Sequence, residues 1–459
     1  MRLNPMYTTA IGALVGGLAV AGPALADDIS LADTLGQAVT QGTPSVQVRP
    51  RYEFVEQNLP QGGRSDSQAA TVRALVGYST KPVDGLGATI QFSDVEPLNG
   101  TGNYNVPTSP VPTGGTHTNR ATIPDPRAAG VNQAYISYEG LPDTRAVAGR
   151  QIIKLDDERF VGNVDFRQTM QTFDAISVVN KSVPDVKLTG AWLWGLKDIL
   201  NQQVRQKTFL TEANWTKYKV VQADAFGYWY GNESNDYDST AVGNSGIVPG
   251  AALCGTGVSS TTNAQACNSM TIGGRLHGSF DLPAGFGADY VGAYAHQSNW
   301  DGGNGAINAR YEHLGGKLRY GDYYVATDYE LMGANSAGTY GFQTPLATKH
   351  AFNGWAEMFL TTPQQGLRST YGTVGGKLFG LDLMARYYYF KSDSQDMDLG
   401  HELDFSVIYP VSRIWSIGAQ YAKFHADNNA ANTLPGLKPG LATGLEDTNA
   451  GWVFISAGF

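Results

Sequence analysis

From about residue 45 onward, apolar and polar side chains alternate with a period of two. In "SVQVRPRYEFVEQ", Val46, Val48, Tyr52 and Phe54 share one face, and Gln47, Arg49, Arg51 and Glu53 share the other. "TIGGRLHGSF" sets Ile272, Leu276 and Phe280 against Thr271, Arg275 and His277. "HELDFSVIY" sets Leu403, Phe405, Val407 and Tyr409 against Glu402, Asp404 and Ser406. Such runs are β-strands with two unlike faces. Their length, about 9–11 residues, is that of a tilted strand crossing a bilayer. A soluble sandwich alternates too, but its polar face meets bulk water. The connectors distinguish the two. Short ones such as "KPVDG" (81–85), "GLPD" (140–143), "FG" (379–380) and "PVSR" (410–413) mostly alternate with long ones at 95–130, 153–172, 232–269 and 426–449. That asymmetry belongs to a transmembrane barrel, with tight turns on one side of the membrane and long loops on the other.

Parity fixes the count. Strands are expected to begin near residues 45, 68, 86, 131, 144, 173, 185, 207, 219, 270, 288, 310, 321, 367, 381, 401, 414 and 450. The stretch "FNGWAEMFLTTPQQG" from Phe352 also looks like a strand. Including it gives an odd total and sets the two ends on opposite sides, so 332–366 is read as one segment that does not span. The fold class expected is therefore all-β: a transmembrane antiparallel barrel of about 18 strands, closed by pairing of the first and last. The final "GWVFISAGF" fits the closing strand, since a barrel leaves no free edge.

The N-terminus has Arg2, an apolar run from Ile11 to Ala21, and Ala24-Leu25-Ala26. These are the parts of a signal peptide cleaved after Ala26; the run is too short to span a bilayer. The expected organisation is 1–26 signal peptide, 27–44 periplasmic segment and 45–459 barrel. Mean hydropathy of −0.24 would suggest a soluble chain, but alternation cancels in such an average. Tyr 24, Trp 8 and Gly 56 suit many strands and turns. A net charge of −9 argues against non-specific nucleic-acid binding. The two cysteines, Cys254 and Cys267, lie in one polar stretch and are expected to form a loop disulfide rather than a metal site.

"GRQIIKLDDERFVGNVDFRQTMQTFDA" (149–175) and "GWAEMFLTTPQQGLRSTYGTVGGKLFGLDLMARYYYF" (354–390) resemble recurring segments of the alginate-export family of Gram-negative porins. With "HLGGKLRYGDYYVATDYELM" (313–332) and the ends, the resemblance covers most of the chain from about residue 45. It implies an 18-stranded barrel with a basic, anion-attracting constriction, and passage of a polyuronate or a related carboxylated solute.

Alternation alone places Arg49, Arg51, Arg73, Arg150, Arg275, Lys317, Arg319 and Arg386 opposite the apolar faces. A lumen address is expected, since a lipid-facing Arg at midplane costs roughly 2–4 kcal/mol. The segment 153–172, able to fold inward, adds Lys154, Arg159 and Arg167 beside Asp156, Asp157, Glu158 and Asp165. Guanidinium pairs bidentately with carboxylate, so this set is a candidate path for anionic solutes. The same faces carry Glu53, Glu212, Asp224, Asp382, Glu402 and Asp404, so wall ion pairs are the competing reading. Trp192, Trp194, Trp215, Trp229, Trp415 and Trp452 suit an interfacial girdle.

Seven scattered His residues and the lack of a Gly-x-Ser-x-Gly elbow, a His-Glu-x-x-His motif or a P-loop argue against an enzyme, and no cofactor or metal is expected. The expected function is a passive outer-membrane channel for anionic or polar solutes. The alternatives are an uptake porin for small organic acids or aromatic compounds, and a non-conducting surface or structural barrel. Its expected partners are outer-membrane lipid and lipopolysaccharide, and the barrel-assembly machinery through the last strand.

Overall fold

The computed structural model describes residues 31–58, 64–98, 104–106, 120–233, 264–427 and 445–459. The leader and Cys254 lie outside these residues; Cys267 is disulfide-bonded. After helix α1 (Leu31–Thr40) come β1 (Thr43–Asn58), β2 (Arg64–Ser79), β3 (Leu86–Pro97), β4 (Ala128–Leu141), β5 (Thr144–Gln151) and β6 (Thr172–Asn180). Next are β7 (Val186–Lys197), β8 (Gln203–Tyr218), β9 (Val221–Tyr230), β10 (Ser269–Asp281), β11 (Phe286–Asn299) and β12 (Asn308–Tyr320). The last six are β13 (Tyr323–Met332), β14 (Leu367–Leu378), β15 (Leu381–Lys391), β16 (Asp398–Pro410), β17 (Trp415–Ala426) and β18 (Thr448–Gly458).

Each strand pairs antiparallel with its sequence neighbours, and β1 also pairs with β18, setting Arg51 opposite Phe454 and Glu53 opposite Trp452. The 18-stranded sheet is therefore closed. Every strand begins within four residues of its expected position. Residues 333–366 contain no strand, as parity required.

Burial follows the alternation. On β16, Glu402 and Asp404 are 0% exposed, while Leu403 and Phe405 between and beyond them are 45% and 44% exposed. The outer wall is thus apolar and the lumen polar, the inverse of a soluble barrel. The tight turns include Phe379–Gly380, with φ of 53° and 79°. Two successive positive φ values match the twist of the flanking strands, and Gly takes the second at no steric cost. Helix α1 sits beside the β2–β3 turn, where Lys81 N donates to Ala38 O at 3.0 Å.

Candidate pore constriction

Two long connections at the end of the barrel opposite the tight turns fold back into the lumen. The β5–β6 connection (152–171) and the β13–β14 connection (333–366) meet there. Val161 and Leu346 form a parallel bridge, and Gly162 N donates to Leu346 O at 2.9 Å. Thr348 Oγ1 donates to Glu158 at 2.6 Å and accepts from Val164 N at 3.1 Å. Val164 has a φ of 53°, an uncommon value for a β-branched residue, and this joint holds it there. Two aromatic groups hold the joint to the wall. His350 stacks on Phe166 at 3.2 Å and meets the edge of Trp452 at 5.3 Å. Phe160 packs against Phe226 at 5.0 Å and Tyr311 at 5.1 Å. Trp452 therefore faces the lumen and is no part of an interfacial girdle.

The tip of 152–171 is clamped by arginines on β1 and β2. Arg49 donates to the carbonyls of Asp165 (2.8 Å) and Arg167 (2.7 Å). Arg51 donates to Phe166 O at 2.5 Å and Glu53 at 2.9 Å, and pairs with Asp125. Arg73 holds Asp165 Oδ1 at 2.7 Å. Arg167 pairs with Glu53 at 3.0 Å and with Glu357. Four guanidinium groups thus face Glu53, Asp125, Asp165 and Glu357. Burial pushes the Glu357 carboxyl up, but Arg167 and the His350 hydrogen bond outweigh it and hold it at about 2. Burial lowers His350 to about 4, so its imidazole is neutral. Its Nδ1, 3.0 Å from Glu357 Oε1, then carries the proton and donates.

The start of the same connection meets the opposite kind of wall. Asp156 and Asp157 lie near Glu212 on β8 and Asp224 on β9. Arg275 on β10 approaches Asp156 and Asp157 only to 3.7 and 3.5 Å, and His277 reaches Asp224 at 3.1 Å. Burial first, then Glu212 and Asp224, push the Asp156 carboxyl up to about 7.

The remaining residues chosen from sequence are scattered. Arg159 pairs with Glu330 at 2.6 Å, deep in the plug. Lys154 pairs with Glu158 at 2.5 Å. Toward the tight-turn end, Arg319 and Lys317 share Asp289 at 2.9 and 3.8 Å. Arg386 donates to Thr373 at 2.9 Å and to Tyr388 at 3.0 Å, while Glu402 accepts from Ala356 N at 2.8 Å. Arg150 departs from expectation. Alternation along β5 and β6 sets it and Asp174 on the face of Ile176 and Val178, outside the barrel, where it forms a bidentate pair with Asp174 at 2.7 and 2.9 Å. On β5 the alternation misleads: Val147, on the face opposite Arg150, is buried on the lumen side, so the apolar face of this short strand is not its lipid face. Asp125, Glu330, Glu357 and His350 were missed, three of them because they lie in connections or next to one, where no period marks an inward face.

A family model described as "Alginate export" matches residues 43–357. No curated protein matches the chain. Among solved structures, Pseudomonas aeruginosa OccK9 (OpdG) shares 12% identity with a TM-score of 0.64, covering 92% of this chain and 99% of that one. Acinetobacter baumannii OccAB2 shares 13% at 0.62, covering 92% and 99%. P. aeruginosa OpdK, solved with vanillate, shares 11% at 0.63, covering 91% and 98%. At these identities the likeness is one of fold: the same closed barrel.

Proposed function

The chain belongs to the alginate-export family of outer-membrane porins, and on that premise we propose that it is a passive channel for carboxylate-bearing solutes. The observation that carries this reading is Asp165. Its side chain is 49% exposed to the lumen, yet it is the carboxylate held by Arg73 at 2.7 Å and approached by Arg49 at 3.9 Å. A solute carboxylate that displaces the exposed Asp165 side chain takes its place over Arg73 and Arg49, which are buried beneath it and already fixed in place, at little ordering cost. The other clamp carboxylates are not open to this exchange, since Glu53 and Asp125 are buried.

A second reading, uptake of small organic acids rather than a polyuronate, is favoured by the joint between the two connections. Val161 and Leu346 link them within the lumen, where an extended polymer needs a continuous path. OpdK, a porin of the same fold, was solved with vanillate, itself a small aromatic acid. Export through a leader cleaved after Ala26, and insertion guided by the last strand, belong to the same reading.

Planar-bilayer recording under a salt gradient tests it. Asp165→Asn should shift the reversal potential toward anions and strengthen block by uronate oligomers. An unchanged reversal potential and unchanged block would remove the carboxylate assignment. Block by monomeric acids but not by oligomers would select the second reading, and a barrel that never conducts would overturn both.

A further inference from the structure

Outward-facing side chains on β15 to β18 and on β1 change character along their length. In mid-strand they are apolar or aromatic: Tyr387, Phe405, Ile417, Val453 and Tyr52. At the end away from the tight turns they become Lys391, His401, Lys423, His425, Asn449 and Glu56. Acyl chains give such groups nothing to bind, so this edge belongs at headgroup depth.

Two clefts open in the outer wall along this edge, of about 420 Å³ and about 220 Å³, and His425 lines both. The larger also has His401, Asp398, Asp427 and Tyr389, and the smaller has Lys423, Asp447 and Glu56. The His401 and His425 rings lie 5.1 Å apart, and His425 Nδ1 is 3.0 Å from Asp447. The Lys423 side chain is exposed and makes no ion pair among the described residues.

We infer that this edge docks the phosphorylated glycolipid of the outer leaflet, with Lys423 and His425 as the phosphate-binding pair. The inference rests on the reading of the chain as an outer-membrane channel. The charge pattern selects the partner. An ammonium and two imidazoles in or beside open clefts suit a phosphate group. The carboxylates of Asp398, Asp427, Asp447 and Glu56 repel a bare anion, but they suit the divalent cations that bridge neighbouring lipid phosphates. A leaflet of cation-bridged phosphorylated lipids offers both. Two other outward basic groups are already paired: Arg150 with Asp174 and with Gln203 at 2.5 Å, and Lys391 with Asp396 and Asp398 at 3.3 and 3.4 Å.

Native mass spectrometry of the full chain, titrated with lipid A in the presence of Mg²⁺, tests the inference. The wild type should bind lipid A at least tenfold more tightly than its dephosphorylated form. Lys423→Gln/His425→Gln should lose most of that preference, whereas Arg150→Gln should keep it. Chelation of Mg²⁺ should weaken binding by the wild type. Equal binding of the two lipids, or a double variant indistinguishable from the wild type, would overturn the inference. Displacement of lipid A by millimolar inorganic phosphate would also overturn it, because the site would then belong to a soluble anion. Heat-modifiable migration on gels reports that each variant is folded. Conductance recorded on the same preparations separates the two readings: a conducting barrel without the lipid preference fails only this inference, and a non-conducting barrel with it fails only the channel.

Discussion

The connection 152–171 is anchored at two places that are electrostatic opposites. At its tip, Arg49, Arg51, Arg73 and Arg167 meet Glu53, Asp125, Asp165 and Glu357, and the guanidinium groups also take backbone carbonyls. At its start, Asp156 and Asp157 meet Glu212 and Asp224, with Arg275 no closer than 3.5 Å. The first anchor is a balanced network, costly to break because each partner removed strands another in low dielectric. The second carries excess negative charge and is held at neutral pH partly by a proton. The same connection is thus firmly fixed at one end and adjustable at the other.

The largest effect should come from the clamp. Arg167→Ala leaves Glu357 buried without its guanidinium partner and removes one of two from Glu53, at a cost of about 3–5 kcal/mol to docking of the connection. Hydrogen exchange across 162–171 should then rise sharply, while gel migration shows an intact barrel. Unchanged protection would mean that the clamp does not hold the tip.

The pH response comes next. Docked, Asp156 takes its proton at about 7 instead of 3.8. A raised carboxyl pKa means that the docked state binds more protons, so docking is favoured at low pH. It weakens as pH climbs from about 4 and bears the full penalty above about 7. Current noise from the open channel should therefore increase with pH through this window. Asp156→Asn should flatten the dependence, and a variant that keeps the slope would assign it to other groups.

Glu212→Gln is a gentler change at the same corner. It removes a like charge facing Asp156, so the docked carboxyl moves back toward its ordinary value; the rise of noise with pH should shrink and be complete at a lower pH. A transition that does not move would show that burial alone sets Asp156. Arg150→Gln should change least: with its guanidinium outside the barrel, reversal potential and block should match the wild type.

The barrel was legible because strand periodicity, connector length and parity are independent signals and agreed. They even excluded Phe352 to Gly366 as a strand, against its local pattern. The constriction was legible only in part. Arg49, Arg51, Glu53 and Arg73 lie on strands, where alternation reports the inward face. Their counter-charges Asp125, Asp165 and Glu357 lie in connections, where only the three-dimensional path of the chain brings them to β1 and β2. For that reason a ladder of free arginines could not be told from a set of clamped ones. Arg150 shows the converse: on β5 the apolar Val147 lies on the lumen side, so alternation read from this short strand alone sets Arg150 on the wrong face.

The central claim is that the arginine clamp on 152–171 sets the pore. Single-channel recording of the wild type beside Arg51→Ala/Arg167→Ala, in one bilayer and one salt gradient, tests it most directly. Release of the tip should give a larger, noisier conductance and a shifted reversal potential, from a barrel that still migrates as folded. Equal conductance, noise and reversal potential in the two proteins would contradict it.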